Sequence, residues 1–211
     1  MEYTENPEMR IDMVARLFDR FKNTGLVMPP TQREFYEKLA PYCLGKIVFD
    51  VGCGAGVGTN IIGNKARFVW GLDLEENHIN FARAMFANEN MRFDQYDLLN
   101  ATPRELATAH IVVLSEVIEH AEDYKGILKG LKKFMSDKTI GFITTPNRNS
   151  PDIQKDKPKN PHHVREWTAA EFWDVMCANF KSVTLYKHDL SETVDLDTTE
   201  TPIVAKVEGL L

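Results

Sequence analysis

The chain has 211 residues, 43% hydrophobic and 27% charged, enough for one domain with a real core. A formal net charge of −6 speaks against a broad nucleic-acid-binding face, which needs clustered Lys and Arg, and leaves room only for a local basic patch. Cys43, Cys53 and Cys177 are odd in number and far apart, no apolar run reaches membrane-spanning length, and residues 1–10 are polar and acidic, so the expected setting is the reducing cytoplasm.

Met9, Met13, Leu17 and Phe21 recur every four residues and predict one face of an amphipathic helix. Asn23-Thr24-Gly25 ends it, and Pro29-Pro30 bars an immediate restart. Thr31 is the expected N-cap of a second helix running to about Ala40, with Glu34 completing a capping box. Residues 1–45 thus read as a helical cap within the same domain as the sheet-forming residues 46–211. Strands are expected at 46–51, 67–73, 91–96, 110–115 and 139–145, with helices from about Thr59, over 76–88 and over 124–134. A helix at 169–178, a strand at 182–186 and a short strand at 202–207 close the chain. Strands alternating with helices predict a mostly parallel sheet. The acidic stretch 189–201 carries no helical signal, which predicts an antiparallel last pair.

The most informative stretch is Val48-Phe49-Asp50-Val51-Gly52-Cys53-Gly54-Ala55-Gly56-Val57-Gly58-Thr59. An apolar strand, buried on both faces, breaks into glycines at alternate positions. Glycine permits φ > 0 and leaves no Cβ between main chain and ligand, and the helix that follows would aim its free amides at the loop. This predicts a nucleotide-type site at the carboxyl end of the first strand of a doubly wound sheet. A ligand-free strand–helix turn is the plainer alternative, but four glycines carry a high entropy cost. A dinucleotide fingerprint would need Gly or Ala where Val57 stands. The second strand ends in Asp73, 23 residues after Asp50, where a carboxylate can accept both hydroxyls of a ribose. The alternative is a solvated acid opening a helix.

The acidic-x-Gly-x-Gly-x-Gly pattern resembles motif I of the class I S-adenosylmethionine (SAM) methyltransferases. The resemblance implies an α/β, Rossmann-like seven-stranded sheet with helices on both faces and an antiparallel last strand. It implies SAM lying on Gly52, Cys53, Gly54 and Gly56. Asp50 would anchor the loop through backbone amides or meet the cofactor's amino group through water. Asp73 and its neighbour Leu74 fall at the ribose. Asp97, in Phe93-Asp94-Gln95-Tyr96-Asp97-Leu98-Leu99, would meet the adenine amine, with Leu98 packing on the ring; Ser115 completes the cofactor-facing set.

The run Val112-Val113-Leu114-Ser115-Glu116-Val117-Ile118-Glu119-His120 ends a buried strand at the sheet edge where ligands bind. If 116–120 is helical, Glu116, Glu119 and His120 share one side. Two carboxylates and an imidazole there suit a divalent metal or proton transfer, against the alternative of acids decorating a helix start. A Lys- and Pro-rich loop, 150–159, then leads to Asn160-Pro161-His162-His163-Val164-Arg165-Glu166-Trp167-Thr168, able to return a histidine over the cofactor. The pairing of Glu-x-x-Glu-His with a later histidine resembles the ubiquinone-biosynthesis and the small-RNA 3′-terminal O-methyltransferase groups. The second group implies a divalent ion, Mg²⁺ or Mn²⁺, on Glu116, Glu119, His120 and His163; the first places its histidine at His162. The implied reaction is O-methylation of a small-molecule or glycan hydroxyl. An RNA 3′ end, lowered by the acidic charge, and a non-catalytic SAM-binding partner are the alternatives. Arg165 is expected in a surface ion pair rather than on an anionic substrate. Trp167, Phe172 and Trp173 are expected in the core.

Overall fold

The computed structural model describes residues 15–16, 18–20, 22–23, 28–100, 109–151, 158 and 160–211. Met9, Met13, Leu17 and Phe21 lie outside them, although residues 15–16, 18–20 and 22–23 are helical and Phe18 meets Phe81 edge-on at 4.7 Å. Most of the 150–159 loop is likewise outside the described residues.

Helix α1 spans Pro30–Leu39 and passes into a 3₁₀ turn, Ala40–Cys43. Its start corrects the expectation drawn from Thr31 and Glu34. Pro29 is the N-cap, no side chain caps the helix, and Pro30 occupies the first turn. A proline there loses nothing, because its missing N–H would have had no intrahelical partner. Glu34 instead reaches His188 Nε2 at 3.1 Å, tying the helix to the far end of the sheet.

The sheet contains β1 (Ile47–Val51), β2 (Phe68–Asp73), β3 (Met91–Gln95), β4 (Ile111–Ser115), β5 (Ile140–Thr145), β6 (Phe180–Lys187) and β7 (Ile203–Leu210), in the spatial order β3-β2-β1-β4-β5-β7-β6. The first five strands are parallel. β7 enters between β5 and β6 and runs antiparallel to both. At eight residues it is longer than the short strand expected, because it carries a ladder on each side. Backbone bonds from Lys187 to Glu192 (3.1 Å) and from Val194 to Leu185 (3.1 Å) fold the following segment along the outer edge of β6. Such cover protects an edge that would otherwise pair with another chain.

Side chains alternate strictly across the sheet, as the period of two demands. Val48, Val69, Ile111 and Val113 face one layer with Phe35, Tyr36 and Leu39 of α1, Ile62 of α2 (Val57–Gly63) and Ile79 and Ala82 of α3 (Glu76–Phe86). Phe49, Val51, Val112 and Leu114 face the other with Leu128 and Leu131 of α4 (Tyr124–Lys132) and Phe172 and Met176 of α5 (Ala169–Cys177). Helices therefore cover both faces. The chain turns back between β1 and β4, which opens a crevice at their carboxyl ends.

Gly58 shows how α1 is seated. A Cβ on it would lie 2.4–2.6 Å from the Tyr36 ring, so the fourth glycine of the motif serves helix packing rather than the turn. Gly58→Ala is expected to displace Tyr36 and cost about 1–3 kcal/mol by overpacking. Urea unfolding measures it, and an unchanged midpoint would contradict the close approach. Among the described residues no helix is long and apolar enough to cross a membrane.

Candidate active site

Gly52, Gly54 and Gly56 all have positive φ, 74°, 53° and 80°. At Gly52 a Cβ would also fall 2.2 Å from Val117 Cγ2, so the turn is closed to any side chain. The loop is stapled to the end of β2. Gly52 N and Cys53 N donate to the Leu72 carbonyl (2.7 and 3.0 Å), and Gly54 N donates to Asp73 Oδ2 (2.8 Å). Asp73 Oδ1 accepts the Glu75 amide at 2.9 Å, while His78 Nδ1 stands 3.5 Å away.

Asp50 does not bond loop amides, as one expectation had it. Its two oxygens accept the hydroxyls of Tyr36 (2.9 Å) and Thr59 (2.6 Å), deep on the α1 face of β1. Burial pushes its carboxyl up to about 6, and the two hydroxyl bonds only partly offset this. The sign of the consequence follows. A folded-state pKa above the unfolded value stabilises at low pH, and the gain is lost as pH rises through the folded value. Relative to Asp50→Asn, the wild type is therefore expected to lose about 2 kcal/mol between pH ~4.5 and ~7.5. Paired denaturation curves check this; parallel pH profiles would refute it.

Leu74 stays 48% exposed just beyond β2, whereas Leu98 is buried in the α4-side core and packs on Gly130. Asp97 closes its own turn, accepting from Leu99 N (2.8 Å), Asn100 N (3.3 Å) and Asn100 Nδ2 (2.9 Å). Ser115 Oγ, buried at the end of β4, takes a bond from Gln32 Nε2 (3.3 Å) and shares one with Thr144 Oγ1 (3.0 Å).

Residues 116–120 are not one helix. Glu116 has φ 56°, a region few non-glycine residues occupy, and only Ile118–His120 form a 3₁₀ turn. Thr144 holds Glu116 out of a helix. Its hydroxyl donates to Glu116 Oε1 (2.8 Å), and its hydroxyl and carbonyl oxygens receive the Glu116 amide (3.1 and 3.3 Å). Loss of water pushes the Glu116 carboxyl up to about 7, with the Thr144 bond opposing.

Glu119, His120 and His163 come together: one donor atom from each lies within 4.8 Å of the other two. Glu116 is not part of that group. The imidazoles meet edge-on, with centroids 4.8 Å apart. His120 Nδ1 lies 3.0 Å from the His162 carbonyl, which can only accept, so Nδ1 carries the hydrogen and Nε2 keeps a lone pair. Burial holds the His120 pKa below its ordinary value, favouring this neutral form. His162 therefore contributes its backbone to the group, and His163 its ring. His163 Nδ1 bonds Glu166 Oε1 at 2.7 Å. Glu119 is wholly buried. Its Oε2 accepts from Thr145 at 3.4 Å and its Oε1 has no hydrogen-bond partner among the described residues. Burial first, then the charge of Glu116, raises its pKa well above the carboxylate norm.

Sequence reasoning assigned no role to Tyr36, Thr59, Thr144 or Glu166. Glu166, 5% exposed, sits three residues after His163, and that spacing was the one available signal. Arg148 pairs with Glu171 at 2.6 and 2.7 Å and reaches the Glu166 carbonyl at 3.1 Å, bracing this segment. Trp167 and Phe172 are core residues.

A family model described as a methyltransferase domain matches residues 9–193. A Mycolicibacterium smegmatis protein named "Probable S-adenosylmethionine-dependent methyltransferase" is 33% identical over 141 residues, covering 67% of this chain and 54% of its own. A ubiquinone biosynthesis O-methyltransferase of Neisseria meningitidis is 29% identical over 124 residues, covering 57% of this chain and 52% of its own. The chain spans about half the length of the curated relatives it matches. The crystal structure of NodS, an N-methyltransferase of Bradyrhizobium japonicum in complex with S-adenosyl-L-homocysteine, superposes with a TM-score of 0.68 at 14% identity, covering 95% of this chain and 98% of that one. That likeness is one of fold.

Proposed function

The chain belongs to the class I SAM-dependent methyltransferase family, and from that premise we propose that it lays SAM across the Gly52–Gly56 turn and transfers the methyl group to a hydroxyl held at Glu119, His120 and His163. The observation that carries the acceptor assignment is Glu119 Oε1, a buried carboxylate oxygen without a hydrogen-bond partner among the described residues, beside two imidazoles. A fold rarely leaves such an atom bare unless another group is meant to meet it.

Methyl transfer from a sulfonium is an in-line displacement in which the sulfur keeps the electrons of the broken C–S bond and the acceptor oxygen forms the new C–O bond. Alignment supplies much of the acceleration. In this reading Asp73 holds the ribose while its Oδ2 fixes Gly54, so one carboxylate sets both cofactor and loop. Leu74, Asp97, Leu98 and Ser115 border the cofactor; Leu98 acts from within the core rather than as an exposed platform. Glu166 and the His162 carbonyl orient the rings of His163 and His120, leaving Nε2 of each free for the acceptor. Glu119, through its free Oε1, takes up the hydroxyl proton. The donor set also fits a divalent cation, which Glu119, His120 and His163 would hold. When bound it supplies a Lewis acid that lowers the pKa of the hydroxyl. Two imidazoles with one carboxylate favour manganese or a later metal over magnesium.

Incubating the protein with methyl-labelled SAM and a metabolite extract, followed by mass spectrometry, names the acceptor directly. An oxygen-methylated product is expected. A product methylated on nitrogen or carbon would overturn the acceptor assignment. Absence of calorimetric heat with SAM, while another nucleotide titrates, would overturn the cofactor assignment.

A further inference from the structure

Arg165 lies between the two residues that build one side of the proposed acceptor site. His163 is two positions before it, Glu166 directly after it, and its own amide donates to the Glu119 carbonyl at 3.2 Å. The guanidinium carbon stands 4.8 Å from the centroid of the Tyr124 ring and 5.7 Å from that of Trp167. These rings meet each other edge-on at 5.6 Å. Arg33, Arg83, Arg92 and Arg148 each reach a carboxylate. Arg165 is exposed, and among the described residues no carboxylate pairs with it, in a chain with 31 acidic and 25 basic residues. The surface ion pair expected from the sequence is not found there.

Attraction to an aromatic ring takes up none of a guanidinium's five N–H donors in a carboxylate-type bond, so donors remain for a ligand. Those donors match a carboxylate or phosphate, which can accept two parallel bonds. The two rings limit the side chain's freedom before any ligand arrives, so little rotamer entropy remains to be lost on binding. We propose that Arg165 is the specificity-determining residue for the acceptor and that the acceptor is a small molecule carrying an anionic oxygen group, a carboxylate or a phosphate. The proposal rests on the reading of Glu119, His120 and His163 as the methyl-acceptor site. A cation at this position also offsets locally the repulsion that a net charge of −6 exerts on an anionic substrate.

The Arg165 Nε–H resonance, assigned by its loss in Arg165→Lys, reports on this directly. With S-adenosylhomocysteine present, titration with benzoate and with inorganic phosphate is expected to move that resonance saturably with at least one of them. The responding anion identifies the source, carboxylate or phosphate. Arg165→Gln is expected to abolish saturable binding of that anion while calorimetry shows unchanged affinity for S-adenosylhomocysteine. Once the labelled product is known, the same variant is expected to raise KM for its acceptor at least about tenfold with kcat within about threefold, the pattern of lost ground-state binding. A resonance unmoved by both anions, or an acceptor turned over by Arg165→Gln with wild-type KM, would overturn the proposal. Failure of S-adenosylhomocysteine itself to bind would instead overturn the methyltransferase reading on which it stands.

Discussion

Glu119→Gln is expected to lower methyl transfer about 10²–10⁴-fold, the range of a positioned acid–base group, while SAM affinity stays within about twofold. The more discriminating half of the expectation concerns stability. Glu119 is wholly buried, one of its oxygens has no partner among the described residues, and its carboxyl is driven toward the neutral form. A structural carboxylate with those properties would be a defect, since burying charge without a partner costs free energy. Glutamine keeps the shape and removes the charge, so Tm at pH 8 is expected to hold or rise as activity falls. The raised folded-state pKa sets the direction: the burden of the ionised form grows as pH increases, and so does the advantage of the amide. His163→Ala should match the loss of activity. Glu166→Gln, which acts only by orienting His163, should cost less, about 10–100-fold. Product formation at wild-type rates in Glu119→Gln would remove this cluster from the reaction.

Asp73→Ala is expected to weaken SAM binding by about two orders of magnitude, from the loss of two hydrogen bonds to a charged acceptor. Some of that loss has a second origin, because Asp73 also holds the Gly54 amide at 2.8 Å and the Glu75 amide at 2.9 Å. A cofactor lacking the ribose hydroxyls separates the two contributions. If Asp73 meets the sugar, removing hydroxyls weakens binding to the wild type but scarcely weakens binding to the variant further. If Asp73 only staples the loop, the two losses add. Isothermal calorimetry on the four combinations measures the coupling, and simple additivity would refute the ribose contact.

The strands of the parallel half were legible because each is an apolar run with a polar or glycine break. Their ends moved by only a residue or so. Cap chemistry was less readable. Thr31 with Glu34 and Thr168 with Glu171 present the same Thr-x-x-Glu spacing, yet only the second pair forms a capping box. The first is overruled by Pro29-Pro30, which starts the helix earlier with no side-chain bond. In the site, the glycine turn and the pairing of Glu119-His120 with a later histidine were visible as patterns. What the sequence could not show was the clamp of Thr144 on Glu116, a contact 28 positions away in the chain that replaces a helical turn with a left-handed residue. Nor could it show that Asp50 would be satisfied by hydroxyls of Tyr36 and Thr59 instead of by neighbouring amides. Such partners depend on which helix lands on which face, and periodicity alone does not specify that.

The position of β7 has a consequence for the nascent chain. The seventh strand of this sheet, residues 203–210, occupies an interior place and supplies a ladder to β5 on one side and to β6 on the other. During vectorial synthesis β5 leaves the ribosome well before its neighbour exists, and its apolar edge stays open until residue 210 has emerged. A hydrophobic edge left waiting invites pairing with foreign strands. Nonsense or frameshift lesions beyond residue 200 should therefore yield aggregated rather than merely weakened protein, and chaperone dependence should ease only when translation has passed that strand.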